Sequence, residues 1–474
     1  MMKTMVMVAA GILLTADLSL ACIDPILKTN TNPKVVFGRY REVWEAAGKS
    51  ASPRPDVERG ATRLRGRKED CFWYPNLLSQ TNIPCLAPLV KAYDQLPKRT
   101  QMFETIRNGK SLRLAVHFVG TGDHENVLIC IPGVMSDSFE YRFAVGELGS
   151  DYDFWLIDPP GCGDSEAPDP AALGRGGYSP EAMAERELQA IAKCLPKCGP
   201  AVRVQLVGHS LGGLVVLRAF MDPDLRLRYR EVLDRIDGLI LISPCNVFMS
   251  QVNSTLITRS ELSGVVVGIG QGLGVVREKV AEYLVNSFQC SHCLSREEVD
   301  HAVQVLVNPH TRHAFQAMLR EALPYDLKTH QPIFEIMARL ESWYTNVNLP
   351  VRIIWGKCDQ VLPVGMGYML EKQLPNASLT ILPDCRHAPN IERPAECAAL
   401  IRQAHKEIAA QRTNKPPIPA RAQNQVSSAL LQNRIQASAH SVNVGSSGIL
   451  SSTAEPWPFV TTPGGDLGAD QRER

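Results

Sequence analysis

The hexapeptide Gly208-His209-Ser210-Leu211-Gly212-Gly213 constrains this chain more than any other stretch, because of what flanks it. Residues 202–207 before it have the length and aliphatic composition of a strand. Residues 211–220 after it are apolar and small, without proline, as a buried helix starting at the turn requires. A G-x-S-x-G turn between strand and helix reverses the chain within about five residues, and side chains at Gly208 and Gly212 would collide with neighbouring elements. The serine hydroxyl is lifted clear of the sheet, so Ser210 is a candidate nucleophile and His209 a structural neighbour inside the elbow. The competing reading is a serine that merely caps the helix.

Three further segments weigh against simple capping. Residues 126–131 form a buried-strand run ending in Pro132-Gly133-Val134-Met135, a turn whose backbone N–H groups suit an oxyanion hole. Residues 152–158 run into the Gly-rich turn Pro159-Pro160-Gly161-Cys162-Gly163-Asp164-Ser165, and Asp158 and Asp164 read as turn formers. Residues 351–356 lead into a turn bearing Asp359, and residues 378–382 into a loop bearing Asp384 and His387. Serine, aspartate and histidine thus occur in that order, each just after a strand.

In this order and setting the chain resembles the α/β-hydrolase family, over roughly residues 101 to 410. The resemblance implies an α/β fold: a mostly parallel central sheet flanked by helices, with a helical cap inserted after the strand that follows the nucleophile helix. It also implies Ser210 as nucleophile, Asp359 as acid, His387 as base, and the N–H groups of Val134 and Leu211 as the oxyanion hole. Many relatives carry His-Gly where this chain has Pro132-Gly133, and proline there fixes the backbone and removes one donor. Asp384 is the rival partner for His387, although a carboxylate in the same short loop is more often a turn residue.

On this reading neutral His387 takes the Ser210 proton as the oxygen attacks a carbonyl carbon, Asp359 holds the imidazole tautomer, and water releases the acyl group. Activity is then expected to fall as the pH drops through about 6 to 7, where an ordinary histidine becomes charged. The leading expectation is a serine hydrolase acting on small-molecule or lipid carboxylic esters, without cofactor or metal. Acyl transfer or amide hydrolysis on the same residues, and a non-catalytic ligand-binding protein, are the alternatives.

The 474 residues exceed one compact α/β domain. Residues 1–21 read as a signal peptide and imply a secreted or periplasmic protein; Cys22, directly after Ala21, leaves open a lipoprotein anchor, and an uncleaved segment a third possibility. Residues 22–100 read as an N-terminal extension. Residues 101–244 and 350–411 read as two parts of the hydrolase core, residues 245–349 as cap, and residues 412–474, rich in Pro, Ser, Gln and Asn, as a disordered tail. Asn108-Gly109 between alternating segments predicts a hairpin. Helical patterns over residues 277–288 and 312–323 fit a cap. The apolar, glycine-containing stretch 265–274 fails G-x-G-x-x-G spacing and reads as a lid segment able to touch lipid.

Fifty basic against 49 acidic residues leave a net charge of +1, so no global field recruits nucleic acid. Thirteen cysteines favour an oxidising compartment. Cys358 and Cys385, beside Asp359 and His387, are expected to bridge the two loops, with Cys71–Cys85 and Cys194–Cys198 as further pairs. Cys290-Ser291-His292-Cys293 resembles half a zinc site, without a second C-x-x-C to complete it.

Overall fold

The computed structural model describes residues 86–197, 202–247, 264–272, 274–287, 296–322, 324–326 and 331–413. The expected signal peptide, Cys22, most of the extension, all of the tail beyond Thr413, Cys71, Cys85, Cys198 and the Cys290–Cys293 motif lie outside these residues. Among the described residues no helix is long and apolar enough to cross a membrane.

Helix α1 (Ala87–Gln95) leads into the hairpin of β1 (Lys98–Arg107) and β2 (Lys110–Val119). Asn108 and Gly109 both have positive φ, 50° and 71°, and Arg107 pairs with Lys110. This is the two-residue turn whose twist matches that of the strands. β1 begins at Lys98, earlier than the Gln101 start expected from its alternation, because β2 offers partners as far as Val119. The remaining strands are β3 (Asn126–Ile131), β4 (Asp153–Ile157), β5 (Arg203–His209), β6 (Ile236–Ile242), β7 (Val351–Gly356) and β8 (Ala377–Leu382).

They form one eight-stranded sheet in the order β1-β2-β4-β3-β5-β6-β7-β8, parallel from β4 to β8. The central strands are buried on both faces, which is why they read as unbroken aliphatic runs. Helices α2 (Arg142–Leu148), α3 (Pro180–Cys194) and α4 (Ser210–Met221) follow β3, β4 and β5; α4 packs against α3. On the exposed edge, Gln189 of α3 exchanges two hydrogen bonds of 2.8 Å with the backbone of Ile106. Arg186 reaches the carbonyls of Thr105 and Lys110 at 3.0 and 3.2 Å. Free strand groups are thereby satisfied by a helix rather than left open.

Between β6 and β7 the chain adds α5 (Gly264–Gly272), α6 (Val275–Ser287), α7 (Arg296–Val307), α8 (Pro309–Glu321) and α9 (Phe334–Ser342), with a two-residue strand pair, Tyr325–Asp326 and Gln331–Pro332. The glycine-containing 265–274 stretch is thus largely helical. α8 starts at an Asn308 cap, whose Oδ1 accepts the His310 N–H at 2.9 Å, followed by Pro309. Val280, Ala281, Val299, Ala302 and Leu306 of these helices share an apolar cluster with Phe143, Ala388 and Ile391. Two polar ties add to it: Arg142 pairs with Glu298, and His301 pairs with Asp137 at 2.7 Å while stacking on Phe139. The inserted helices are held against the segments that follow β3 and His387. After them come α10 (Gly365–Gln373) and α11 (Pro394–Thr413), which packs Cys397, Ile401 and Ile408 into the core beneath the sheet.

Candidate active site

The strand order reverses direction between β3 and β5: β4 lies on one side of β3 and β6 beyond β5. Loops at the carboxyl ends of such neighbouring strands part to leave a crevice. The Ser210 elbow and the Pro132–Met135 turn flank it.

Ser210 has φ +49°, a left-handed conformation rare for a residue with a side chain. The elbow glycines explain how it is held. A Cβ at Gly208 would lie 2.8 Å from the Gly212 oxygen, and one at Gly212 would lie 2.3 and 2.4 Å from the carbonyl oxygens of Ile131 and Pro132. The nucleophile helix is therefore pressed against the end of β3 by backbone contact. Leu211, in the first turn of α4, has an N–H without an intrahelical acceptor, and Val134 sits in the adjoining turn after β3.

The structure brings Ser210, His387 and Asp359 together. His387 Nε2 lies 3.0 Å from Ser210 Oγ, and its Nδ1 lies 2.8 Å from Asp359 Oδ2. Asp359 Oδ1 accepts the N–H groups of Val361 and Leu362 at 2.8 and 2.9 Å, so the carboxylate is fixed at both oxygens. All three residues are buried. Asp384 is exposed in its turn, and the carboxylate beside His387 is that of Asp359.

The expected Cys358–Cys385 bridge is absent: both thiols are free. Cys385 points into the core with Cys397, whereas Cys358 is only half-buried, so the two side chains diverge. Their loops are joined instead through the backbone, the Cys358 N–H donating to the Cys385 carbonyl at 2.8 Å.

Two neighbours of the site escaped the sequence reading. Cys245 Sγ lies 3.7 Å from Ser210 Oγ, and its N–H donates to the Ser210 carbonyl at 2.8 Å; burial pushes its thiol up to about 12, so it stays protonated at neutral pH. Glu140, buried in the turn after β3, has Oε1 2.7 Å from His209 Nδ1 and accepts the Gly133 N–H on Oε2 at 3.1 Å. Burial alone would raise the Glu140 carboxyl; the His209 charge and hydrogen bond, with the Gly133 N–H, outweigh it and hold the group below the usual carboxylate range. No local sequence signal joins Glu140 to an elbow about seventy residues later, so only the fold reveals the pair.

Among the described residues His117, Asp158 and Asp164 form the one grouping able to hold a metal. Its atoms already serve the turn after β4: Asp158 takes the N–H groups of Ser138 and Asp164 and meets His117 Nε2, each at 2.8 Å. Asp158 acts in the turn, as its sequence setting suggested, whereas the Asp164 carboxylate is exposed and lies 3.9 Å from His117 Nε2.

The human monoacylglycerol lipase ABHD6 is 29% identical over 202 residues, 41% of this chain and 52% of that protein, so the match spans about half of the relative. The uncharacterized hydrolase YugF of Bacillus subtilis is 23% identical over 278 residues, 59% of this chain and 88% of that protein. A crystal structure of a bacterial membrane phospholipase A aligns with 74% of this chain and 97% of its own, at 20% identity and a TM-score of 0.46. The profile of the alpha/beta hydrolase family matches residues 128–400, from β3 into α11 and across the whole candidate site. With more than half of its length matched, and with the strand order and elbow described above, the chain belongs to the alpha/beta hydrolase family.

Proposed function

We propose that this protein is a serine hydrolase that cleaves carboxylic esters, lipid esters among them, through an acyl-enzyme intermediate. The observation that carries the reading is the hydrogen-bonded chain from Ser210 Oγ through His387 to Asp359. Ser210 Oγ attacks the ester carbonyl while His387 Nε2 takes its proton; the proton then passes to the departing alcohol. Asp359 keeps the Nδ1 proton in place and offsets the charge that forms on the ring. The N–H groups of Leu211 and Val134 receive the oxyanion, each worth on the order of 3 kcal/mol of barrier. Water, activated by the same histidine, releases the acid.

Lipid esters as the substrate class draw support from the printed activity of the human relative, a monoacylglycerol lipase. The test is a fluorophosphonate probe applied to the protein and to Ser210→Ala, with the adduct located by peptide mass spectrometry, followed by matched ester and anilide substrates. Labelling of Ser210 with ester turnover exceeding anilide turnover supports the reading. Faster anilide cleavage would reassign it to amide hydrolysis, and a folded protein that takes no probe would remove the hydrolase reading.

A further inference from the structure

Beside the Ser210–His387–Asp359 chain lies a second carboxylate–imidazole pair with no part in the proposed proton transfers. His209 directly precedes Ser210, and its buried ring sits 5.1 Å, centroid to centroid, from that of His387. Its Nε2 lies 3.0 Å from the backbone oxygen of His387. A carbonyl oxygen only accepts, so this nitrogen carries a proton. Its Nδ1 lies 2.7 Å from Glu140 Oε1. That carboxylate also receives the Asn390 amide on Oε1 at 2.9 Å and the Gly133 N–H on Oε2 at 3.1 Å, with a further hydrogen bond from the Ser136 side chain. Surrounded by donors, Glu140 is favoured as an ionised acceptor, and its charge 2.7 Å from Nδ1 favours a second proton on the ring.

The ionisable groups around His209 are consistent with a cation there. Glu140 faces it from the turn after β3, and Asp359 and His387 come from the loops after β7 and β8. Cys130 and Tyr141 lie beside Glu140, both pushed up by burial and therefore neutral. Burial on its own would lower the His209 pKa, but the Glu140 charge and hydrogen bond raise it above the ordinary histidine value.

We propose that His209 and Glu140 form a buried ion pair that positions the reaction machinery. The His209 cation grips the carbonyl of His387, and the Glu140 anion grips the Gly133 turn next to Val134. One charge pair thus ties together the segments bearing nucleophile, base and oxyanion donor. Both are positioning residues, since neither touches a reacting atom, and the proposal rests on the role given to Ser210 above.

The first test needs no reaction. In the ¹⁵N spectrum of the wild-type protein both His209 nitrogens are expected to be protonated from pH 6 to 8, and Glu140→Gln is expected to convert the ring to its neutral form. A neutral His209 in the wild type across that range would overturn the proposal. The second test is the rate of fluorophosphonate labelling at Ser210. Glu140→Ala, which strips partners from His209, Gly133 and Asn390 together, is expected to slow it at least about tenfold. Glu140→Gln, which removes the charge and leaves His209 neutral, is expected to slow it about three- to tenfold, less than Glu140→Ala because neutral His209 can keep its Nε2 proton on the His387 carbonyl; a wild-type rate in Glu140→Gln would overturn the role of the charge pair. Wild-type labelling in folded Glu140→Ala would overturn the positioning role alone. A wild type with cationic His209 that takes no label would instead overturn the reading of Ser210, and the positioning role with it. Should Glu140→Ala fail to fold, the wild-type nitrogen signals and the Glu140→Gln labelling rate still decide the matter.

Discussion

Gly212→Ala is the substitution whose consequence the elbow geometry states most sharply. The new Cβ would stand 2.3 Å from the Ile131 carbonyl oxygen, so helix and strand end must separate by about 0.7 Å merely to reach the 3.0 Å floor of real Cβ contacts. Backbone lies on both sides, and no side chain can turn away. Added to a donor–oxyanion distance of about 2.9 Å, that displacement gives about 3.6 Å, outside hydrogen-bond range. One of the two oxyanion donors is lost, which costs about 10²–10³ in rate, or roughly 3–4 kcal/mol of barrier. The forced contact itself destabilises the fold by about 1–3 kcal/mol. Ester turnover, Ser210 labelling and thermal melting measure the three effects. Gly365→Ala is the control, because a Cβ there meets nothing within 4 Å. A Gly212→Ala protein that melts early yet reacts at the wild-type rate would refute the coupling of elbow packing to oxyanion geometry.

Asp359→Asn is expected to reduce turnover by about 10⁴-fold with little change in fold. The N–H groups of Val361 and Leu362 hold the amide oxygen, so the NH₂ faces His387 Nδ1 and pushes the ring proton onto Nε2, leaving no base toward Ser210. Steady-state kinetics and a ¹⁵N spectrum of His387 check this together. For His301, burial and the Arg142 charge lower the pKa, but Asp137, aided by Asp158, raises it above the ordinary value. The tie it gives between α7 and the turn after β3 is therefore fully present below about pH 6.5 and fades as the pH rises through the higher folded value. Amide exchange in α7, corrected for intrinsic rates, should be slower at pH 6 than at pH 8, and His301→Gln should erase the difference. Trp355→Ala removes a fully buried ring whose indole N–H donates to the Leu362 carbonyl at 3.1 Å. A loss of about 3–5 kcal/mol in denaturant unfolding is expected; a loss below 1 kcal/mol would mean that the loop after β7 collapses into the space.

What could be read from sequence was whatever is encoded locally. Ser210 stands out because the elbow must have glycine at 208 and 212, and Asp359 and His387 because each follows a short aliphatic strand. Asn108-Gly109 announced its hairpin because few other pairs accept two positive φ angles. Glu140 and Cys245 were invisible, since their roles depend on contacts with Asn390 and Ser210 that only the folded sheet creates. The cysteines misled for a related reason. Composition gives their number, but the direction of the Cys385 side chain, inward toward Cys397, is decided by the packing of α11.

The separation of these contacts along the chain has a consequence for when the protein becomes active. Glu140 meets Asn390 across 250 residues and Ser210 meets His387 across 177, whereas the elbow and the end of β3 are built from residues within about eighty positions of each other. Closing the longer loops costs more entropy and takes longer. On the ribosome, β3 through β6 can pair before β8 and its histidine have been made. Ser210 would then be folded into its strained turn but chemically silent, and probe labelling during refolding would mark the arrival of the final strand rather than the formation of the sheet.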